Sequence, residues 1–210
     1  MSAIDRLLTN YSRQVRLPWA SSSSGKQRVW FAVYPPAEER RVRAKQPQFE
    51  ATTLEAQHGW LNVDLTDLLP QWIAAHEYRE AIFAEPEHFS VSSELEDMAV
   101  ERVRQACNSE DANARCVVAV TGLATLFDFM RVSNLVERVE DSVRGRLLVF
   151  FPGEYTGNVY RFMDARDGFN YLAVPITATE SFIPSQANVA LPLCLTPAGG
   201  GRLWPASGHS

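Results

Sequence analysis

Apolar residues along this chain follow two rhythms. Near the start, Ile4, Leu7, Leu8, Tyr11 and Val15 recur every three or four positions, the spacing of one helix face. Pro18 ends that pattern, so the sequence predicts a helix over 2–17. Five later segments are short, nearly unbroken apolar runs: Val29–Tyr34, Trp60–Leu65, Cys116–Thr121, Arg146–Phe151 and Asn170–Ile176. They are rich in β-branched and aromatic residues, and Pro35-Pro36 and Pro152-Gly153 close two of them. Such runs read as strands covered on both faces. Between them lie helix-favouring stretches, through residue 57, from a Thr66 cap to Ala75, over about 77–84, from Ser93 to Cys107, and over about 125–143. Ser92 or Ser93 can cap the fourth, with Glu94 and Glu96 in its first turn.

Strands buried on both faces need crossover helices. The alternation therefore predicts an α/β three-layer sandwich with a mostly parallel, about five-stranded sheet, Rossmann-like or P-loop-like. The chain reads as a single α/β domain over 1–176, in which a linker at 18–27, carrying Ser21–Gly25, follows the first helix. Residues 177–210 read as an extended or partly disordered C-terminal tail: no charged residue occurs from Ser181 to Gly201, and Pro184, Pro192, Pro197 and three consecutive glycines do.

Composition agrees with a folded domain, since the 210 residues are 46% hydrophobic and 21% charged. No stretch reaches the ~18 apolar residues of a membrane span, and the first residues lack the pattern of a signal peptide. Cys107, Cys116 and Cys194 are widely spaced, which argues against a disulfide scaffold or a zinc site and for a reducing cytoplasm. The net charge of −5 is uneven. Residues 1–46 carry nine basic against three acidic side chains, and residues 47–114 carry three against fourteen. Such asymmetry fits one basic and one acidic contact face, or solvated helices of differing sign.

The chain offers little for chemistry. A phosphate-binding loop after the first strand needs glycines and a lysine; here Pro35-Pro36-Ala37-Glu38-Glu39 removes amide donors and adds carboxylates. Gly122 alone does not make a dinucleotide fingerprint. His76-Glu77-Tyr78-Arg79-Glu80 lacks the second histidine of a zinc helix, and His58, His88 and His209 have no ligand cluster nearby. No nucleophile elbow occurs. The expectation is a protein with no catalytic residues, no metal and no cofactor. The densest polar constellation is Glu154, Tyr155, Asn158, Tyr160, Arg161, Asp164, Arg166, Asp167 and Asn170, after the fourth strand. It reads as an ion pair and a tight turn fixing the chain's return to the sheet, or as a partner-binding cluster. Arg40, Arg41, Arg43 and Lys45 form a basic run suited to phosphate contacts or to a solvated helix face.

Several segments together resemble a known family: Arg28–Tyr34, Gly59–Asp67, Ala75–Glu80, Gly145–Glu154 and, most specific, Asp164–Ile176. The chain is similar over roughly residues 2–176 to BrxB, a small protein of BREX phage-defence operons. The resemblance implies a non-catalytic accessory component of a BREX complex. It also implies a PglZ-type phosphatase-fold protein as the direct partner, with a BrxC-type ATPase and a methyltransferase as neighbours. It carries over no catalytic residues. Candidate contact anchors are Trp60, Trp72, Tyr78, Tyr155, Tyr160 and Arg161. Two alternatives stay open: a nucleic-acid-contacting subunit using the basic run, and a nucleotide- or metal-binding enzyme using residues 154–167.

Overall fold

The computed structural model describes residues 2–19, 24–85, 93–163 and 168–178. Helix α1 (Ala3–Val15) starts with a capping box: the Asp5 amide donates to Ser2 Oγ, and the Ser2 amide donates to the Asp5 carboxylate. Strand β1 (Val29–Tyr34) is buried at every position. A 3-10 turn at Pro36–Glu38 leads into α2 (Glu39–Glu55), and β2 (Gly59–Asp64) follows. Helices α3 (Leu68–Ala75), α4 (Arg79–Ala84) and α5 (Ser93–Asn108) precede β3 (Cys116–Thr121). Helix α6 (Val132–Val139) precedes β4 (Arg146–Thr156), β5 (Val159–Phe162) and β6 (Val174–Ile176).

The sheet has six strands, with β2, β3, β4, β1 and β6 adjacent in that order and parallel, while β5 pairs antiparallel with β4. The connection from β1 to β2 passes over two strands; those from β2 to β3 and β3 to β4 return in the opposite sense. Crossovers of one hand that run in opposite directions place their helices on opposite faces. Accordingly α1 and α2 pack with Trp30, Ala32, Leu148 and Phe150 on one face, while α3, α5 and α6 pack with Phe31, Val33, Val120 and Val149 on the other. Successive side chains of β1 feed the two cores alternately, which is why its sequence is an unbroken apolar run. The architecture is the mostly parallel three-layer α/β sandwich read from the sequence.

Three local readings change. Strand β4 does not stop at Pro152-Gly153 but runs on into a hairpin, turned by Gly157 and Asn158 with φ of 59° and 66°, the paired left-handed conformations of a type I′ turn. The stretch 125–143 is not one helix. A 3-10 turn covers Leu123–Leu126, Asp128 sits at φ 66°, and α6 begins only at Val132. The last strand is confined to Val174–Ile176, because Phe169 and Tyr171 turn inward against Phe31.

Of the segment read as a linker at 18–27, residues 18–19 and 24–27 are described. Trp19 stacks on His58 with ring centroids 3.7 Å apart, and Lys26–Arg28 form a 3-10 turn. Of the tail, Thr177 and Ala178 are described, and Asn10 Nδ2 donates to the Thr177 carbonyl at 2.8 Å; residues 179–210 lie outside the described residues. Among the described residues, no helix is long and apolar enough to cross a membrane.

Candidate functional site

The described members of the 154–170 constellation separate when folded. On the hairpin, Glu154 faces Arg161 and Tyr155 faces Tyr160 across the strands. Paired residues share a face, so Glu154 and Arg161 point out together, exposed, while Tyr155 and Tyr160 turn inward. Tyr160 is fully buried against Phe31, Phe151 and Phe169, and its hydroxyl donates to the Ala173 carbonyl at 3.1 Å. It is a core residue that ties the hairpin to the sheet. Tyr155 donates to Asn158 at 2.8 Å, bracing the turn. Asn170 is exposed. Asp164, Arg166 and Asp167 lie outside the described residues.

The basic run lies on the first half of α2, and carboxylates meet most of it. Arg41 pairs with Glu38 at 3.0 Å and Arg43 with Glu39 at 2.9 Å, while Lys45 reaches Asp5 of α1. Arg40 is exposed. Lys45 and Ser2 together hold the Asp5 carboxyl well below the usual carboxylate range. The run thus anchors its own helix N-terminus and ties α2 to α1.

A polar network absent from the sequence reading fills the carboxyl-terminal edge of the sheet, where ligands bind in open parallel sheets. Tyr34, the last residue of β1, donates to Glu39 at 2.5 Å. Glu39 also accepts from Arg43, whose other nitrogen donates to Thr66 Oγ1 at 3.2 Å. The Thr66 amide and hydroxyl both donate to Asp64 Oδ1, at 2.9 and 2.5 Å. Next to it Arg102 of α5 donates to the Asp64 carbonyl, to Asp67 at 3.0 Å and to Gln71 at 2.8 Å. Burial works against the Asp64 carboxylate, yet Thr66, Arg43 and Arg102 outweigh it and hold its pKa below the ordinary value. Burial, then Glu39, push the Tyr34 phenol up, so it stays a neutral donor. The cleft between Tyr34, Arg43, Gln46, Thr121 and Phe150 offers about 10 Å³, room for one water.

The amino-terminal edge uses arginines differently. Arg28 donates to the Val143 carbonyl, Arg115 to that of Gln57, and Arg144 to those of Cys107 and Ser109. These carbonyls lie in or just beyond the last turns of helices, where unsatisfied C=O groups gather. Arg146, first in β4 and 7% exposed, donates to the Gly145 carbonyl, and its guanidinium lies 4.7 Å from the Trp19 ring centroid and 5.7 Å from that of Trp30. Burial, then Arg28, lower its pKa to about 10. Beneath Trp19, His58 is pulled below its ordinary value, chiefly by burial, with Arg115 and Arg146 adding to it against nearby carbonyls.

Other sequence candidates resolve as packing. Cys107 and Cys116 are buried, and burial pushes the Cys107 thiol up to about 11, the opposite of an activated nucleophile. His76 Nδ1 accepts from the Tyr78 amide at 3.2 Å. Trp72 is buried, with its indole N–H on Glu94, and Trp60 packs half-buried against the α1–α2 core. Among the described residues no three His, Cys, Asp or Glu side chains gather as a metal cluster. His88, Cys194 and His209 lie outside the described residues.

Comparison with curated proteins and with solved structures returned no match. A family model described as BREX protein BrxB matches residues 61–176. That span runs from β2 through the hairpin to β6, so it takes in Thr66, Asp67 and Arg102 of the carboxyl edge and most of the sheet. Covering more than half of the 210 residues, the match shows that the chain belongs to the BrxB family, a component of BREX phage-defence systems.

Proposed function

We propose that this chain is a non-catalytic docking subunit of its BREX complex, with the PglZ-type protein as its direct partner. The observation that carries this reading is the carboxyl-terminal edge of the sheet. In a ligand-binding sheet of this class, helix N-termini there present free amides to an anion. Here Glu38, Glu39, Asp64 and Asp67 already occupy that edge, and Glu39, Asp64 and Asp67 are bonded to Arg43, Thr66 and Arg102. A phosphate entering the cleft would displace these pairs and meet like charge. The thiols fit the same picture, since both described cysteines are buried with raised pKa.

Family membership supports work among the other BREX components; the specific choice of PglZ rests on the resemblance noted above. In the cell the chain then supplies a surface rather than a reaction, and its rigid sandwich keeps that surface in one shape. Co-expression with the neighbouring PglZ-type protein tests this. A complex that survives size-exclusion chromatography is expected. Two folded proteins that elute separately at every salt concentration would contradict it, and stabilisation of the chain by a nucleotide would point instead to ligand binding.

A further inference from the structure

Helix α4 and the residue before it form a surface that the other described residues leave exposed. Within Tyr78–Ala84, Ile82 is the buried residue. Tyr78 is 64% and Phe83 72% exposed, the two aromatic members among the large apolar side chains left exposed in the described residues. Tyr78 ends a series of rings that climbs out of the core: buried Trp72 lies 4.9 Å from His76, and His76 lies 6.0 Å from Tyr78. The outer ring is therefore held by a chain of contacts, as an anchor presented ready for a partner would be. Glu77 and Glu80 flank it with Arg79 between them, all three exposed, and no ion pair with another described residue engages the two carboxylates.

We propose that this α4 surface is the contact by which the chain docks, and that it fits a protein surface with apolar pockets rimmed by Lys or Arg. The inference rests on the docking function proposed above and adds its location. Charge selects the occupant. Glu77 and Glu80, with exposed Arg79 between them, leave the surface net acidic, which disfavours nucleic-acid phosphates and anionic lipid headgroups. A basic protein surface gains from both the rings and the carboxylates, and exposed aromatics with an acidic rim match the anatomy of interface anchors.

The test titrates the full chain into the PglZ-type protein by calorimetry at low and at physiological salt. The double substitution Tyr78→Ala with Phe83→Ala is expected to weaken binding by about tenfold or more. Glu77→Lys with Glu80→Lys is expected to weaken it most at low salt, where steering is strongest. Leu172→Ala, which trims an equally exposed apolar side chain beyond the hairpin, should leave binding unchanged. The altered positions are exposed, and unchanged melting temperatures check that each variant folds. Undiminished binding by the double alanine variant, with wild type bound, overturns the surface while leaving docking intact. Absence of wild-type binding overturns both. If the alanine pair instead abolishes self-association, the occupant is a second copy and the proposal fails.

Discussion

The two ends of the sheet solve the same electrostatic problem with opposite charges. At the carboxyl edge, where helices begin, Glu38, Glu39 and Asp67 sit at N-termini and arginines bind the carboxylates. At the amino edge, where helices end, Arg28, Arg115 and Arg144 cap backbone carbonyls directly. Acids at N-termini and bases at C-termini each favour the helix dipole. The difference lies in the described partner: Arg41, Arg43 and Arg102 meet carboxylates, whereas Arg115 and Arg144 meet carbonyls. Arg146 is the extreme case, buried between Trp19 and Trp30 and adjoining Arg28, since the two precede the register partners Leu147 and Val29. Both ends are thus lined by the chain's own paired side chains, in keeping with the proposal that recognition lies elsewhere on the surface.

Backbone substitutions should break the two ends most severely. A Cβ on Gly145 would lie 2.0 Å from the Cys116 carbonyl oxygen, and one on Gly122, at φ 80°, would lie 2.5 Å from the Thr66 amide nitrogen. Neither obstacle is a flexible side chain. Gly145→Ala and Gly122→Ala should each cost about 2–4 kcal/mol in urea denaturation, with Gly145→Ala the worse. A loss below about 1 kcal/mol at either position would mean that the close approach is not as described.

Arg146 separates charge from volume. Arg146→Ala empties the space beneath Trp19 and should destabilise by about 2–3 kcal/mol. Arg146→Met keeps the packing and removes a desolvated cation, so it should stay within about 1 kcal/mol of wild type or exceed it. Equal, large losses for both would show that the cation–π contacts dominate.

The carboxyl edge should respond more weakly. Arg43 is exposed, and ion pairs of that kind contribute little. Glu39→Gln or Arg43→Ala should cost less than about 1 kcal/mol, and chemical denaturation reads it. A smaller effect still concerns pH. The folded pKa of His58 lies below its unfolded value of 6.5. The unfolded chain then binds more protons in that window, so stability falls as pH drops through 6.5 toward the folded value and levels off below it. Melting temperatures measured across that range should show the decline, and His58→Gln should flatten it.

Much of the fold was legible because it depends on short-range pattern. β1 shows both faces buried in one apolar run, and α5 follows its predicted span almost to the residue. The hairpin was not legible. Pro152-Gly153 reads as a stop, yet Pro152 aligns with Tyr34 inside the parallel ladder and the strand continues to Thr156. Asp128, at φ 66°, broke a helix that composition favours. The carboxyl-edge network lay beyond the sequence for a different reason. Arg43 and Thr66, or Arg102 and Asp67, are far apart in the chain and meet only once strand order is set. The polar constellation from Glu154 to Asn170 reads as one unit, structural or partner-binding, because its residues are adjacent in sequence, but among its described members strand alternation sends Tyr160 into the core and Glu154 and Arg161 outward.

The proposed function makes recognition, not ligand chemistry at the sheet's carboxyl edge, the contribution of this chain. Its most direct measurement compares the affinity of the wild-type chain and of Arg43→Ala for the PglZ-type protein, under identical conditions. A stable complex of equal affinity is expected for both, because the edge residues pair with one another within the fold. No complex with wild type, or binding that disappears with Arg43→Ala while the variant remains folded, would contradict it.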